Sequence, residues 1–197
     1  MTYRSVLIIS LLVFCGCSAS KLSYEQIRDN HTEFIEVNIG SSIFNSTTSR
    51  AILLRDRTFF TEKRNVFGSK KVQSEQISSF MTDSLFSIVT SQYFKSLPQN
   101  VDDNCTISYQ DQNQEKKNIG GTITDQPLKS IRYSSSSKTK TIRWKECISF
   151  SDHEMNELKN ELGSEDEFES LVEQNEQITN KLKMLNNLLD TVLSLNE

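Results

Sequence analysis

Hydrophobic and polar positions change period several times along this chain. Ile35, Val37 and Ile39 alternate with Glu36 and Asn38, the period-2 pattern of a half-buried strand. A turn at Gly40-Ser41-Ser42 and a loop at 45–49 lead to a second predicted strand over Ala51 to Phe60, and Gly68-Ser69 marks a further turn. Over 75–94 the period lengthens. Ile77, Phe80, Met81, Leu85, Ile88 and Val89 fall on one helix face, extended by Tyr93, with Ser74 as N-cap and Pro98 as stop. Strands resume at Cys105 to Gln110. After a polar loop from Asp111 to Lys117, Gly120-Gly121 permits a bend or bulge in the next strand. Leu128 to Tyr133 and Thr139 to Lys145 then read as two strands joined by Ser134 to Ser137.

Two capping boxes follow, Ser151 with Glu154 and Ser164 with Glu167. The first predicts a short helix ending at Gly163, the second a long one from Glu165 to Leu195. Along the long helix Phe168, Leu171, Asn175, Ile178, Leu182, Leu185, Leu189 and Val192 are spaced as a heptad seam, with Asn175 at an a position. Such a face serves self-association or a partner. It serves equally a helix packed on its own sheet, and Leu188, Leu193 and Leu195 widen the stripe in that direction.

These elements predict an α+β fold: a small antiparallel sheet, one crossing helix and a C-terminal pair of helices, the last one long. The expected organisation is a signal segment over 1–16, a tether over 17–32, an α+β domain over 33–150 and a helical segment over 151–197. There is no internal repeat. An apolar content of 36% is low, so the core is expected to be modest.

The first twenty residues carry the strongest functional signal. Arg4 precedes an apolar run from Val6 to Phe14 broken only by Ser10, followed by Cys15-Gly16-Cys17-Ser18. The run is about ten residues, against the roughly 20 that a spanning helix needs, so it reads as an export signal. Cys15-Gly16-Cys17 resembles the lipobox of bacterial lipoproteins, with Phe14 where leucine is usual. The resemblance covers only this segment. It implies lipidation of Cys17, attachment to a membrane through that lipid, and, with Ser18 following, the outer membrane facing the periplasm. Cleavage near Ala19 and plain secretion is the alternative.

Removing Cys15 and Cys17 leaves Cys105 and Cys147, an even pair in an oxidising compartment, which reads as one disulfide. It would close a loop of about 43 residues and stabilise by roughly 3–4 kcal/mol. The strand parities of the two cysteines conflict unless a bulge intervenes or the second strand ends at Lys145.

Charge is divided. Residues 152–197 hold twelve acids and three bases, whereas 17–151 hold eighteen bases and fourteen acids. Bases cluster at Lys63, Arg64, Lys70 and Lys71, and again at Lys129, Arg132, Lys138, Lys140, Arg143 and Lys145. The second cluster is a candidate anion-binding surface; solvated strand faces are the plainer reading. Nucleic acid is not an expected partner.

Chemistry-bearing motifs are sparse. His31 and His153 have no metal-type ligand at a suitable spacing, and no GxSxG, Walker A, GxGxxG or HExxH occurs. Asp102-Asp103 reads as a polar turn. Three Asn-X-Ser/Thr sequons, at Asn30, Asn45 and Asn104, match chance in a chain so rich in Asn, Ser and Thr. Trp144, Tyr133 and Tyr109 lie on predicted strands, in core or as a stacking face. No cofactor or catalytic residue is expected. The sequence points to a non-catalytic, membrane-tethered interaction or scaffolding module. The alternative is a periplasmic ligand-binding protein or an inhibitor of a cell-wall enzyme, using the basic strands with Trp144.

Overall fold

The computed structural model describes residues 23–41, 47–65, 68, 70–101, 105–121, 123, 125–147, 150, 152–162 and 164–195. The expected signal, Cys17, Asp102-Asp103, the Ser151 cap and two of the sequons lie outside them. In chain order the elements are α1 (Tyr24–Asn30), β1 (Phe34–Ile39), β2 (Thr48–Leu54), β3 (Thr58–Arg64), β4 (Lys70–Gln76), α2 (Ser79–Thr90), α3 (Gln92–Ser96), β5 (Thr106–Gln110), β6 (Lys116–Gly120), β7 (Lys129–Ser134), β8 (Thr139–Trp144), α4 (Asp152–Glu161) and α5 (Glu165–Leu193). The fold is α+β, with a long last helix. Among the described residues, no helix is long and apolar enough to cross a membrane.

Six strands form one antiparallel sheet in the order β4-β3-β2-β1-β7-β8, and β5 and β6 form a separate hairpin. Successive side chains alternate between sheet faces, and both faces of the central strands are covered. On one face Ile35, Val37, Ala51, Leu53, Phe59, Ile131, Ile142 and Trp144 pack against α2, α3 and α5. On the other, Phe34, Ile52 and Leu54 pack against Tyr24 and Ile27 of α1. A third cluster joins Ile107 of the small hairpin to Leu158, Leu162 and Leu171.

Two-sided burial explains why the run Ala51 to Phe60 reads as one strand. It is the meeting of β2 and β3, and the turn between them is polar: Asp56 accepts from the Thr58 backbone N–H at 2.9 Å and Arg57 adopts φ 77°. The helix expected over 75–94 is also redrawn. Ser74 belongs to β4, opposite Phe60. The helix starts at Ser79, capped by the Ser78 hydroxyl, and breaks at Ser91, which caps α3. Its buried side is Thr82, Leu85, Phe86 and Val89, so Phe80, Ile88 and Tyr93 of the expected face are exposed. Thr82 can be buried because its hydroxyl donates to the Ser78 carbonyl at 3.0 Å.

Residues from Ser23 onward in the segment expected to be a tether are folded. Ser23 and Gln26 form a reciprocal capping box, at 2.8 and 3.2 Å, that starts α1. Tyr24 and Ile27 then bury almost completely on the sheet. The sheet thus has a helix on each face rather than a single crossing helix.

Candidate functional site

The heptad face of α5 is the first candidate, and its own domain occupies it. Leu182, Leu185, Leu189 and Val192 belong to the main core, and Leu171 to the small-hairpin cluster. Ile178 bridges both clusters, half-buried, and Asn175 is half-buried beside it. Ser164 caps the helix, accepting from Glu167 N–H at 3.3 Å.

The polar side chain that locks α5 onto the sheet is Asn186. Its Oδ1 accepts from the Trp144 indole at 3.0 Å and from Lys129 Nζ at 3.0 Å. Lys129 also pairs with Glu146. Register places Lys129 directly opposite Trp144, so one helical amide satisfies two neighbours on one sheet face. Trp144 is fully buried, which removes it as a ligand-stacking surface. Tyr133 stands edge-on to Phe86 with its hydroxyl toward Glu33, and Tyr109 donates to Glu161 at 3.0 Å. Tyr133 and Trp144 share the α5 face of the large sheet, within or against the core, and Tyr109 lies apart on the small hairpin.

The candidate anion-binding residues are likewise dispersed. Lys129 and Lys140 lie opposite Trp144 and Tyr133 on the α5 face, whereas Arg132 and Arg143 have the other parity. Lys140 donates to the Leu97 carbonyl. Arg132 lies over the Phe34 ring at 5.6 Å, 4.0 Å from Glu36. Lys138 sits exposed in the β7–β8 turn, and Lys145 follows the end of β8. The run of bases in sequence therefore does not fold into one patch.

Beneath and beside α1 lies a charged cluster that the periodicity does not signal. Glu62 is 1% exposed and pairs with Arg50 at 3.0 Å and with Arg64; Arg50 also reaches Glu25 at 3.0 Å and lies over Tyr24 at 4.4 Å. Burial pushes Glu62 up, but the hydrogen bond from Arg64 and the charge of Arg50 outweigh it and hold the carboxyl below its ordinary range. Glu36 goes the other way, raised by burial against the weaker pull of Arg28 and Arg132. The buried Tyr24 hydroxyl is raised by burial and has no hydrogen-bond partner among the described residues. Register could have hinted at this cluster, since Arg50 stands directly opposite Glu62.

Cys105 and Cys147 stand at disulfide distance, with Cα atoms 5.5 Å apart. The parity conflict disappears because β8 ends at Trp144. An open groove of about 430 Å³ runs between the small hairpin and the first half of α5, lined by Ser108, Tyr109, Gln110, Lys116, Glu167, Ser170, Leu171 and Gln174. Its lining is hydroxyls and amides with one lysine, one glutamate and the apolar Leu171. That lining suits a neutral polar ligand better than a simple anion. Among the described residues, no group of three or more His, Cys, Asp or Glu side chains converges as a metal site.

No protein-family model matches the chain, and no curated protein matches its sequence.

Proposed function

We propose that the chain is a non-catalytic cell-envelope lipoprotein, a membrane-tethered interaction or scaffolding module whose anchor is Cys17. The single observation that carries this reading is the run Arg4 to Cys17, a short export signal closed by Cys15-Gly16-Cys17. The Cys105–Cys147 pair at disulfide distance supports it, because such bonds persist in oxidising compartments. So does the position of Ser23: five residues lie between it and Cys17, so the linker reaches at most about 20 Å. With the seam of α5 spent inside the domain, partner contacts are assigned to other surfaces, and pairing through that seam is not part of the proposal.

The test is membrane fractionation of the wild-type chain and Cys17→Ala in the native host. The wild type should stay with membranes through a high-salt wash, and the variant should not. Equal release of both would end the tether reading. A periplasmic ligand-binding reading is second, favoured by the groove at Ser108 and Gln174 rather than by the basic strands.

A further inference from the structure

On the α1 face of the large sheet, one row of side chains is polar and unpartnered. Register places Asn38 of β1 opposite Ser130 of β7, and Ser130 opposite Arg143 of β8. Asn100 stands beside Arg143, where the segment around it adds to the sheet edge: Arg143 N–H donates to the Gln99 carbonyl at 2.7 Å and Val101 N–H to the Arg143 carbonyl at 2.9 Å. Residues opposite one another in a ladder share a face, and Ile142 and Trp144, on either side of Arg143, are buried toward α5. The four therefore line up across the other face, about 4.8 Å apart from strand to strand. Asn38, Ser130 and Arg143 are half-buried, and Asn100 is exposed.

Elsewhere on this face the charged side chains are paired. Arg50 holds Glu62 and Glu25, and Arg64 holds Glu62. The Ser134 and Thr139 hydroxyls meet at 3.3 Å. In the row itself, no side chain makes a hydrogen bond or ion pair with another described residue, and Thr141, two residues from Arg143 on the same face, makes none either. Opposite Thr141 stands Arg132. Its buried Nε has no partner among the described residues, and its guanidinium approaches Glu36 only to 4.0 Å, beyond a hydrogen bond.

These groups share one chemistry: guanidinium, amide N–H and hydroxyl all donate, and the row contains no carboxylate. Arg132 and Arg143 are diagonal neighbours across the β7–β8 ladder, about 7–8 Å apart and within reach of each other's long side chains. Two guanidinium forks at that spacing suit a single oxyanion seated over Ser130 and Thr141. Glu36, opposite Arg132, also interacts with Arg28 on α1, so it offsets the two arginines only in part. The amides of Asn38 and Asn100, at either end, both donate and accept, which matches hydroxyl groups flanking the anion.

We propose that this row, centred on Arg143 and Arg132 with Ser130 and Thr141, binds the phosphate or carboxylate group of a hydroxyl-bearing ligand such as an acidic sugar. The site is distinct from the α5 seam and from the groove beside β5, and it does not depend on a lipid at Cys17.

The experiment titrates the mature protein, at fixed ionic strength, with glucose 6-phosphate, glucuronate and glucose, and follows the arginine Nε–Hε resonances by NMR. With either acidic sugar the Arg132 and Arg143 resonances should shift saturably, while that of Arg57, in the β2–β3 turn, stays in place. Tighter binding of glucose 6-phosphate assigns a phosphate ligand, and tighter binding of glucuronate a carboxylate one. Arg143→Gln removes a side chain with no described partner, so the fold should persist. It should weaken binding by about tenfold, as expected for the loss of charge-assisted hydrogen bonds to an anion. Ser130→Ala should weaken it less. Unsaturable shifts shared by all arginines, glucose binding as tightly as the acidic sugars, or an affinity unchanged by Arg143→Gln would each overturn the site.

Discussion

The Oδ1 of Asn186 on α5 accepts the indole N–H of Trp144 at 3.0 Å, and Trp144 is fully enclosed. Replacing Asn186 with Leu leaves that N–H without its partner, while Lys129 keeps Glu146. A buried donor left unpaired costs about 1–3 kcal/mol, so Asn186→Leu should lower the urea midpoint clearly. Asn175→Leu should change it little, because Asn175 is half-buried and carries no such bridge. Equilibrium unfolding of both variants checks the contrast.

Leu185 is fully buried in the main core, on the very face that sequence alone would offer to a partner. Leu185→Ala should cost about 2–5 kcal/mol. The wild-type unfolding midpoint should also be independent of protein concentration, since the seam closes within one chain. A midpoint that rises with concentration would mean that α5 packs between chains.

Glu62 and Glu36 should give opposite pH signatures. Glu62 is held below its ordinary range, so its stabilisation is present above the unfolded-chain value and is lost as pH falls through the folded one. Glu36 is raised, so its contribution is full below the unfolded-chain value and is lost as pH rises through the folded one. Hence Glu62→Gln should destabilise near neutral pH, with the loss shrinking in acid. Glu36→Gln should stabilise near neutral pH, with the gain vanishing in acid. Urea midpoints measured from acid to neutral pH test both signs.

Reduction of the Cys105–Cys147 bridge frees a loop with a sequence separation of 42. The chain-entropy relation puts the loss at about 4 kcal/mol. Differential scanning calorimetry with and without reductant should show a lower transition temperature in the reduced protein. A transition unmoved by reductant would mean that the bond is not present in the native protein.

Legibility in the sequence followed the physics of each segment. Alternation found β1 because Glu36 and Asn38 interrupt its apolar residues, and the even number of cysteines left beyond Cys15 and Cys17 pointed to the Cys105–Cys147 pair, against the strand parity. β2 and β3 fused because residues on both faces of β2 are buried, leaving only Arg55, Asp56 and Arg57 to mark the turn. α2 was rotated because Phe80 and Ile88 are apolar yet exposed, while Thr82 is polar yet buried by a bond to its own helix. The capping box Ser23 to Gln26 was readable, but a polar-looking stretch with only Tyr24 and Ile27 as anchors hid α1. Strand alternation alone sets Lys129 and Arg132 on opposite sheet faces, but nothing local shows their separate acidic partners, Glu146 and Glu36, and together these dissolve the patch that the run of bases suggests.

The central claim is a lipid at Cys17, and the intact mass of the mature protein from its native host tests it most directly. The account predicts a chain beginning at Cys17 and carrying acyl chains, with the mass rising by two hydrogens on reduction as Cys105 and Cys147 part. An unmodified chain beginning near Ser20 would contradict it and leave a diffusible, secreted protein.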